Sequence, residues 1–255
     1  MTVGEDIAET TVGNLDAGLT WRWTNDGQVP LFPLVYSGRT QIVGLVWGDD
    51  KREKIDHIDH EAVPAKLTFQ LFNGMQLGWF SIGYLADPKM REHRALIKQY
   101  AQLRTAMLDF FNRGMMARPP RFEKAQTPVA RVWGNQGTHT LHTEPLQACA
   151  WEYDGVKAIL VADTDRHDAS NTLVTTAPKG KLHVFYSGGP KESSDFAGGE
   201  LKIPVDLKYR EFMAVVAVPE GKDASALLRR FAETFAVINQ ANHEPDPWDE
   251  GEVRK

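Results

Sequence analysis

The stretch Asp87-Pro-Lys-Met-Arg-Glu-His-Arg-Ala-Leu-Ile-Lys-Gln-Tyr-Ala-Gln-Leu-Arg-Thr-Ala-Met-Leu-Asp-Phe-Phe-Asn-Arg-Gly-Met-Met-Ala-Arg-Pro-Pro120 divides the chain into two kinds of sequence. Leu96, Tyr100, Leu103, Met107, Phe110 and Phe111 recur at helical spacing, which predicts one helix over residues 88–113 with a stripe facing a core. Pro88 suits the first turn after Asp87, and Gly114 stands where a left-handed C-terminal cap is expected. A stripe of this kind is packing more often than a cofactor box. Pro119 and Pro120 lack the amide hydrogens a helix needs, so they stop the element and mark the expected domain boundary.

Behind that boundary the pattern changes. Residues 129–133, 146–153, 156–162, 181–186, 201–205 and 211–218 are strand-length apolar runs separated by turn residues, and Asp154-Gly155 between two of them is a hairpin signal. Short strands with polar turns predict an antiparallel β-sandwich over 121–221. A last helix is expected over 224–239, with Leu227, Leu228, Phe231, Phe235 and Ile238 on one side and Asp223 as its cap, followed by a polar tail; together these make up 222–255.

Ahead of the helix, Val29-Pro-Leu-Phe-Pro-Leu-Val-Tyr36 is a nearly continuous apolar run, the pattern of a strand buried on both faces of a parallel sheet. Residues 41–47 form a second apolar stretch, and 49–61 a charged segment that reads as a solvated surface. Residues 66–80 mix buried types with Gly74 and Gly78, suggesting an element that opens toward a site at its glycine-containing end. The residues of 1–120 therefore read as α/β, and the remainder as mainly β.

The composition, 255 residues with 42% hydrophobic and 25% charged, is that of a globular chain able to bury a substantial core, and it excludes disordered and collagen-like classes. A net charge of -5 with no basic stripe argues against a nucleic-acid partner. No apolar run approaches the roughly 18 residues of a membrane span, and the first residues lack the basic and apolar regions of a signal peptide; the compartment stays open. Cys149 is the one cysteine, so no intrachain disulfide forms; beside Ala148 and Ala150 it reads as a small buried hydrophobe rather than a nucleophile.

Taken in order, Gly4-Glu-Asp-Ile-Ala-Glu9, Leu15-Asp16, the apolar run ending at Tyr36, Gln76-Leu-Gly-Trp-Phe80, the long helix, Gly114-Met-Met-Ala-Arg-Pro-Pro120 and the following strands resemble the rear portion of an uncharacterised family of glycoside-hydrolase-like (β/α)8 barrels with a C-terminal β-sandwich. The resemblance covers residues 2–219. It implies that residues 1–120 hold the last barrel strands and the long final helix, and that the protein cleaves carbohydrate. Glu5 and Glu9 match the family's acidic strand-end segment, Asp16 the acidic position after it, and Tyr36 the tyrosine ending the next strand. A complete barrel takes about 200 residues or more. The chain is accordingly expected to be a fragment that lacks the front half of the barrel, which a missing N-terminal part or self-association would supply.

Glycoside hydrolysis needs two carboxyl groups across the scissile bond, one protonated and one ionised. Glu9 and Glu5 are the candidate acid/base or nucleophile. Asp16 and Tyr36 are candidates for orienting them or contacting sugar hydroxyls, and Trp79, between Gly78 and Phe80, for stacking on the apolar face of a pyranose. Trp21, Trp23 and Trp47 are further aromatics of that type. His57-Ile-Asp-His-Glu61 lacks the His-Glu-x-x-His order that sets two imidazoles on one zinc, and His139 and His142 suit a sheet edge or turn, so neither metal nor cofactor is expected. The alternatives are a noncatalytic carbohydrate-binding or accessory protein and an inactive truncated fragment.

Overall fold

The computed structural model describes residues 3–5, 16–19, 35–36, 41–43, 61–78, 85–132, 140–189 and 191–241. It is a mixed helix and sheet structure with antiparallel sheets behind a short parallel one. The parallel part is β1 (Val3–Glu5), β2 (Ala17–Leu19) and β3 (Gln41–Val43), adjacent in the order in which they occur in the chain. Val3 pairs with Ala17 and Ala17 with Gln41, while Glu5, Leu19 and Val43 end the three strands in one row. Val35 and Tyr36 have helical backbone and Val35 is 60% exposed, so the buried strand expected over 29–36 does not reach its predicted end; residues 29–34 lie outside the described residues. The charged segment 49–60 does too.

α1 (Ala62–Phe72) is buried along nearly its whole length. The chain then turns through Gly74, whose φ of +70° is left-handed, and the Gln76 amide donates to the Ile42 carbonyl of β3 at 2.7 Å. The helix predicted over 88–113 is three pieces: a 3-10 turn (Pro88–Met90), α2 (Arg91–Ala106) and α3 (Leu108–Arg113). At the break the Met107 amide is shared between Leu103 and Arg104 carbonyls at 3.3 and 3.1 Å. All six residues of the apolar stripe are buried. Gly114 is not a left-handed cap. Its backbone is extended, at φ -92° and ψ -172°, and a Cβ there would stand 2.5 Å from the Glu152 carbonyl oxygen and 2.6 Å from that of Phe110. Glycine is needed because the backbones approach closely.

The remaining strands are β4 (Met115–Met116), β5 (Arg121–Phe122), β6 (Val129–Val132), β7 (Thr140–Thr143), β8 (Leu146–Tyr153), β9 (Val156–Asp163), β10 (Ala169–Ala177), β11 (Gly180–Tyr186), β12 (Glu192–Phe196), β13 (Gly199–Leu207) and β14 (Phe212–Pro219). A six-stranded sheet has the order β12-β11-β14-β9-β8-β4, a three-stranded sheet β13-β10-β5, and β6 pairs with β7. Tyr153 opposes Val156 across the β8–β9 hairpin, and Asp154 and Gly155 both have positive φ, the two-residue turn their sequence predicts. Pro204 is accommodated because β13 has β10 as its one partner among the described strands. Polar β10 and β12 had no apolar run to announce them.

α4 (Ser225–Ala241) follows, with the Ser225 amide donating to the Asp223 carboxylate at 2.9 Å as the predicted cap. One apolar cluster joins α1, α2, α3 and α4 to the face of the six-stranded sheet that carries Trp151, Leu160, Phe185 and Phe212. A second joins its other face, through Leu146, Ile159, Val161, Met213 and Val215, to Leu173, Leu201, Ile203, Val205 and Leu207 of the three-stranded sheet. The apolar runs 156–162 and 211–218 are thereby explained: β9 and β14 lie centrally in the sheet and bury both faces.

Candidate functional site

The edge toward which parallel strands run is where an α/β fold presents reactive side chains. Glu5 is the last residue of β1 and sits on that edge, level with Leu19 and Val43. Asp16 is exposed and immediately precedes Ala17, the first residue of β2. Ala17 is level with Val3, so Asp16 lies at the opposite edge, about 10 Å from the Glu5 row at roughly 3.3 Å per residue. The register separates these two backbone positions. Tyr36 is half-buried on helical backbone between β2 and β3. Glu9 and Trp79 lie outside the described residues, as do Trp21, Trp23, Trp47, His57, His60 and His139.

The link after α1, whose Gln76 bonds β3, is held by the helices and the six-stranded sheet. Arg104, on α2, donates from Nη1 to the Gly74 and Met75 carbonyls at 3.1 and 2.8 Å, and its guanidinium lies 5.3 Å from the centre of the Phe111 ring. Burial lowers its pKa to about 10, which leaves it cationic at neutral pH. Trp151 of β8 donates from Nε1 to the Phe72 carbonyl at 3.0 Å, so the sheet satisfies an acceptor at the C-terminal end of α1. Its ring lies against Gly74, where a Cβ would meet it at 3.0 Å. Tyr100 bonds Thr68 and donates to the Pro64 carbonyl at 3.3 Å; burial raises its phenol pKa, so it stays neutral.

A second polar cluster, absent from the candidates drawn from the sequence, lies where β9 ends, in Asp163-Thr-Asp-Arg-His-Asp168. Asp163 is 1% exposed. Its Oδ1 accepts the Asp165 amide at 2.9 Å, while its Oδ2 has no partner among the described residues. Burial raises its pKa to about 7, aided by the neighbouring Asp165 and Asp168 charges against amide bonds that lower it. Arg131 of β6, also 1% exposed, donates from Nη2 to the Thr164 carbonyl at 3.2 Å and to Asp165 Oδ1 at 3.0 Å, and its Nη1 is 3.9 Å from Glu61 at the start of α1. Burial works against the charge on Asp165, but hydrogen bonds from His167 and Arg131 outweigh it and hold that carboxyl below its usual range. The signal was a run of three aspartates in six residues at the end of an apolar strand.

Cys149 is buried and its thiol is pushed up by burial, so it is held as an unreactive thiol. His142 is exposed on β7. Among the described residues no three His, Cys, Asp or Glu side chains are grouped to hold a metal ion, and no helix is long and apolar enough to cross a membrane.

No protein-family model matches the chain. Over 123 residues, 41% of this chain, it is 26% identical to "Putative glycoside hydrolase 22789" of Monosiga brevicollis, and it spans 10% of the length of that relative. Among solved structures it is similar to a maltogenic α-amylase, AmyB, of Thermotoga neapolitana, with a TM-score of 0.49 and 10% identity over 85% of this chain and 54% of that one. A GH30 endoxylanase of Clostridium papyrosolvens gives a TM-score of 0.38 and 11% identity over 82% and 50% of the two chains. A GH27 β-L-arabinopyranosidase of Geobacillus stearothermophilus gives 0.39 and 9% over 83% and 47%.

Proposed function

We propose that this chain is the rear portion of a glycoside hydrolase acting on a carbohydrate substrate. The similarity over 123 residues to a glycoside hydrolase carries the reading. The geometry supports it in two ways. Parallel strands lie side by side in chain order, and α1 and α2 run alongside each other in one direction, Pro64 and Thr68 meeting Tyr100 while Gly74 and Met75 meet Arg104. Both arrangements belong to a (β/α)8 barrel.

In this reading residues 1–120 supply the last strands and final helices of the barrel, 121–221 form an antiparallel β-sandwich, and 222–255 are a closing helix and tail. Strands from an N-terminal barrel half, or from a second copy, complete the ring. Glu5, at the end of β1, and Glu9 are the acid/base and nucleophile candidates, with Tyr36 and Trp79 contacting sugar. Asp16, offset by the register of β2, serves outside the reacting pair.

The test is substitution in the full natural polypeptide. Glu5→Gln and Glu9→Gln keep the size and hydrogen-bonding capacity of the side chains but remove acid–base and nucleophilic chemistry. Turnover of aryl glycosides is expected to fall by about a hundredfold or more with sugar binding retained. Unchanged turnover in both variants would sink the site assignment. Binding of glycans with no hydrolysis by the unsubstituted protein would instead indicate a noncatalytic carbohydrate-binding role.

A further inference from the structure

Asp163 stands at a junction of four parts of the molecule. Its own amide donates to the Glu211 carbonyl at 3.2 Å, which anchors the end of β9 to the turn before β14. The next residue, Thr164, donates from its amide and its hydroxyl to the Pro145 carbonyl at 2.9 and 3.0 Å, tying the turn to the link between β7 and β8. Arg131 brings in β6 through Thr164 and Asp165, and its neighbour Glu61, which also pairs with Arg166 at 3.0 Å, brings in the start of α1. All of these links pass through residues 163–166.

The carboxyl at the centre of this junction is only partly compensated. Oδ1 accepts the Asp165 amide and the Ala169 amide also favours the charged form, while Oδ2 is buried with no hydrogen bond among the described residues. The one buried cation of the cluster, Arg131, is committed to Asp165 and Thr164. The groups that act on Asp163 are Asp165 and Asp168 from its own turn and Tyr100 from α2; Arg131 from β6 meets the turn at Thr164 and Asp165, and Arg210 of the turn before β14 is paired with Glu92 at 2.6 Å. A neutral carboxyl is tolerated in such a place far better than a carboxylate, because an ionised oxygen with no donor forfeits its hydration.

We propose that Asp163 is a proton-operated latch: protonated, it keeps the 163–168 turn closed on Arg131, so that the β6–β7 pair and the start of α1 stay fastened to the six-stranded sheet; ionised, it lets that junction open. The inference is independent of any sugar chemistry. Its sign follows from linkage. The carboxyl titrates at about 7 when buried and at about 4 once exposed, so closure is fully favoured below pH 4, weakens as pH climbs between these values, and levels off above 7.

Two measurements on the full chain test the latch. The first follows the Asp163 carboxyl carbon by NMR against pH, which needs no variant; the expected midpoint is about 7, and a midpoint below about 5 overturns the proposal. The second is amide hydrogen exchange of residues 129–132, 140–146 and 163–168, corrected for intrinsic rates. Protection there is expected to fall about tenfold or more from pH 5 to pH 8, at no more than about tenfold per unit, and to level off above the carboxyl midpoint. Asp163→Asn, neutral at every pH and able to accept the Asp165 amide, is expected to abolish that fall. An equal fall in Asp163→Asn, or a wild-type fall that does not track the carboxyl titration, overturns the latch.

Discussion

Two glycines show how different physical demands select the same residue. At Gly155 the backbone is left-handed, at φ +76°, and nothing lies within 4 Å of where a Cβ would be. At Gly114 the dihedrals suit any residue, but two carbonyl oxygens occupy the Cβ position. Gly155→Ala is therefore expected to cost about 1 kcal/mol, the conformational penalty alone. Gly114→Ala is expected to cost about 2 kcal/mol or more, because the α3–β4 connection must move away from β8. Urea denaturation of both variants checks the order; equal losses would show that the Gly114 contacts yield easily. Trp151 makes a third point at this scale. Trp151→Phe keeps an aromatic ring against Gly74 but removes the donor to the Phe72 carbonyl, for an expected loss of about 2 kcal/mol.

At the scale of elements, helix faces divide sharply by burial. On α4, Phe231 is fully buried and packs edge-on to Phe110 and against Phe185, whereas Arg229 is exposed and lies 3.9 Å from Glu233, one turn on. Phe231→Ala is expected to lower stability by about 4 kcal/mol and Arg229→Ala by no more than about 0.5 kcal/mol, measured as midpoint shifts at constant denaturant slope. Strands obey the same logic with a period of two. In β13, Leu201, Ile203, Val205 and Leu207 face inward and Lys202, Pro204 and Asp206 outward. Polar β10 has few apolar positions to mark it in the sequence, yet its whole length pairs with β13. β12, with Glu192 and Asp195 on an exposed outer strand, has the charge that discourages further pairing at a sheet edge.

Across the whole molecule, the apolar cluster beneath the six-stranded sheet contains α1, α2 and α3 from before residue 120 and α4 from the far end. A piece comprising 121–241 would expose Trp151 and Phe212 where α1, α2 and α3 pack. It is expected to aggregate or to lack a cooperative unfolding transition, whereas 61–241 should unfold in one step; calorimetry of the two separates the cases. A cooperative, soluble 121–241 would show that the sheets alone form a folding unit.

Periodicity and turn chemistry are local, so the stripe from Leu96 to Phe111, the Asp154-Gly155 hairpin, the α4 cap at Asp223 and most of the long apolar strands are legible in the order of residues alone. Each depends on neighbours within a few residues. The break at Met107, the reason for Gly114, the split of Asp16 from Glu5 and the unpaired oxygen of Asp163 emerge in the folded chain. These are set by what another segment brings to the same place: a carbonyl from β8, the register of a neighbouring strand, or an arginine already committed to a different carboxylate. No spacing along the chain encodes such meetings, because the cost of a clash or of an unpaired charge exists only once distant backbones share a volume.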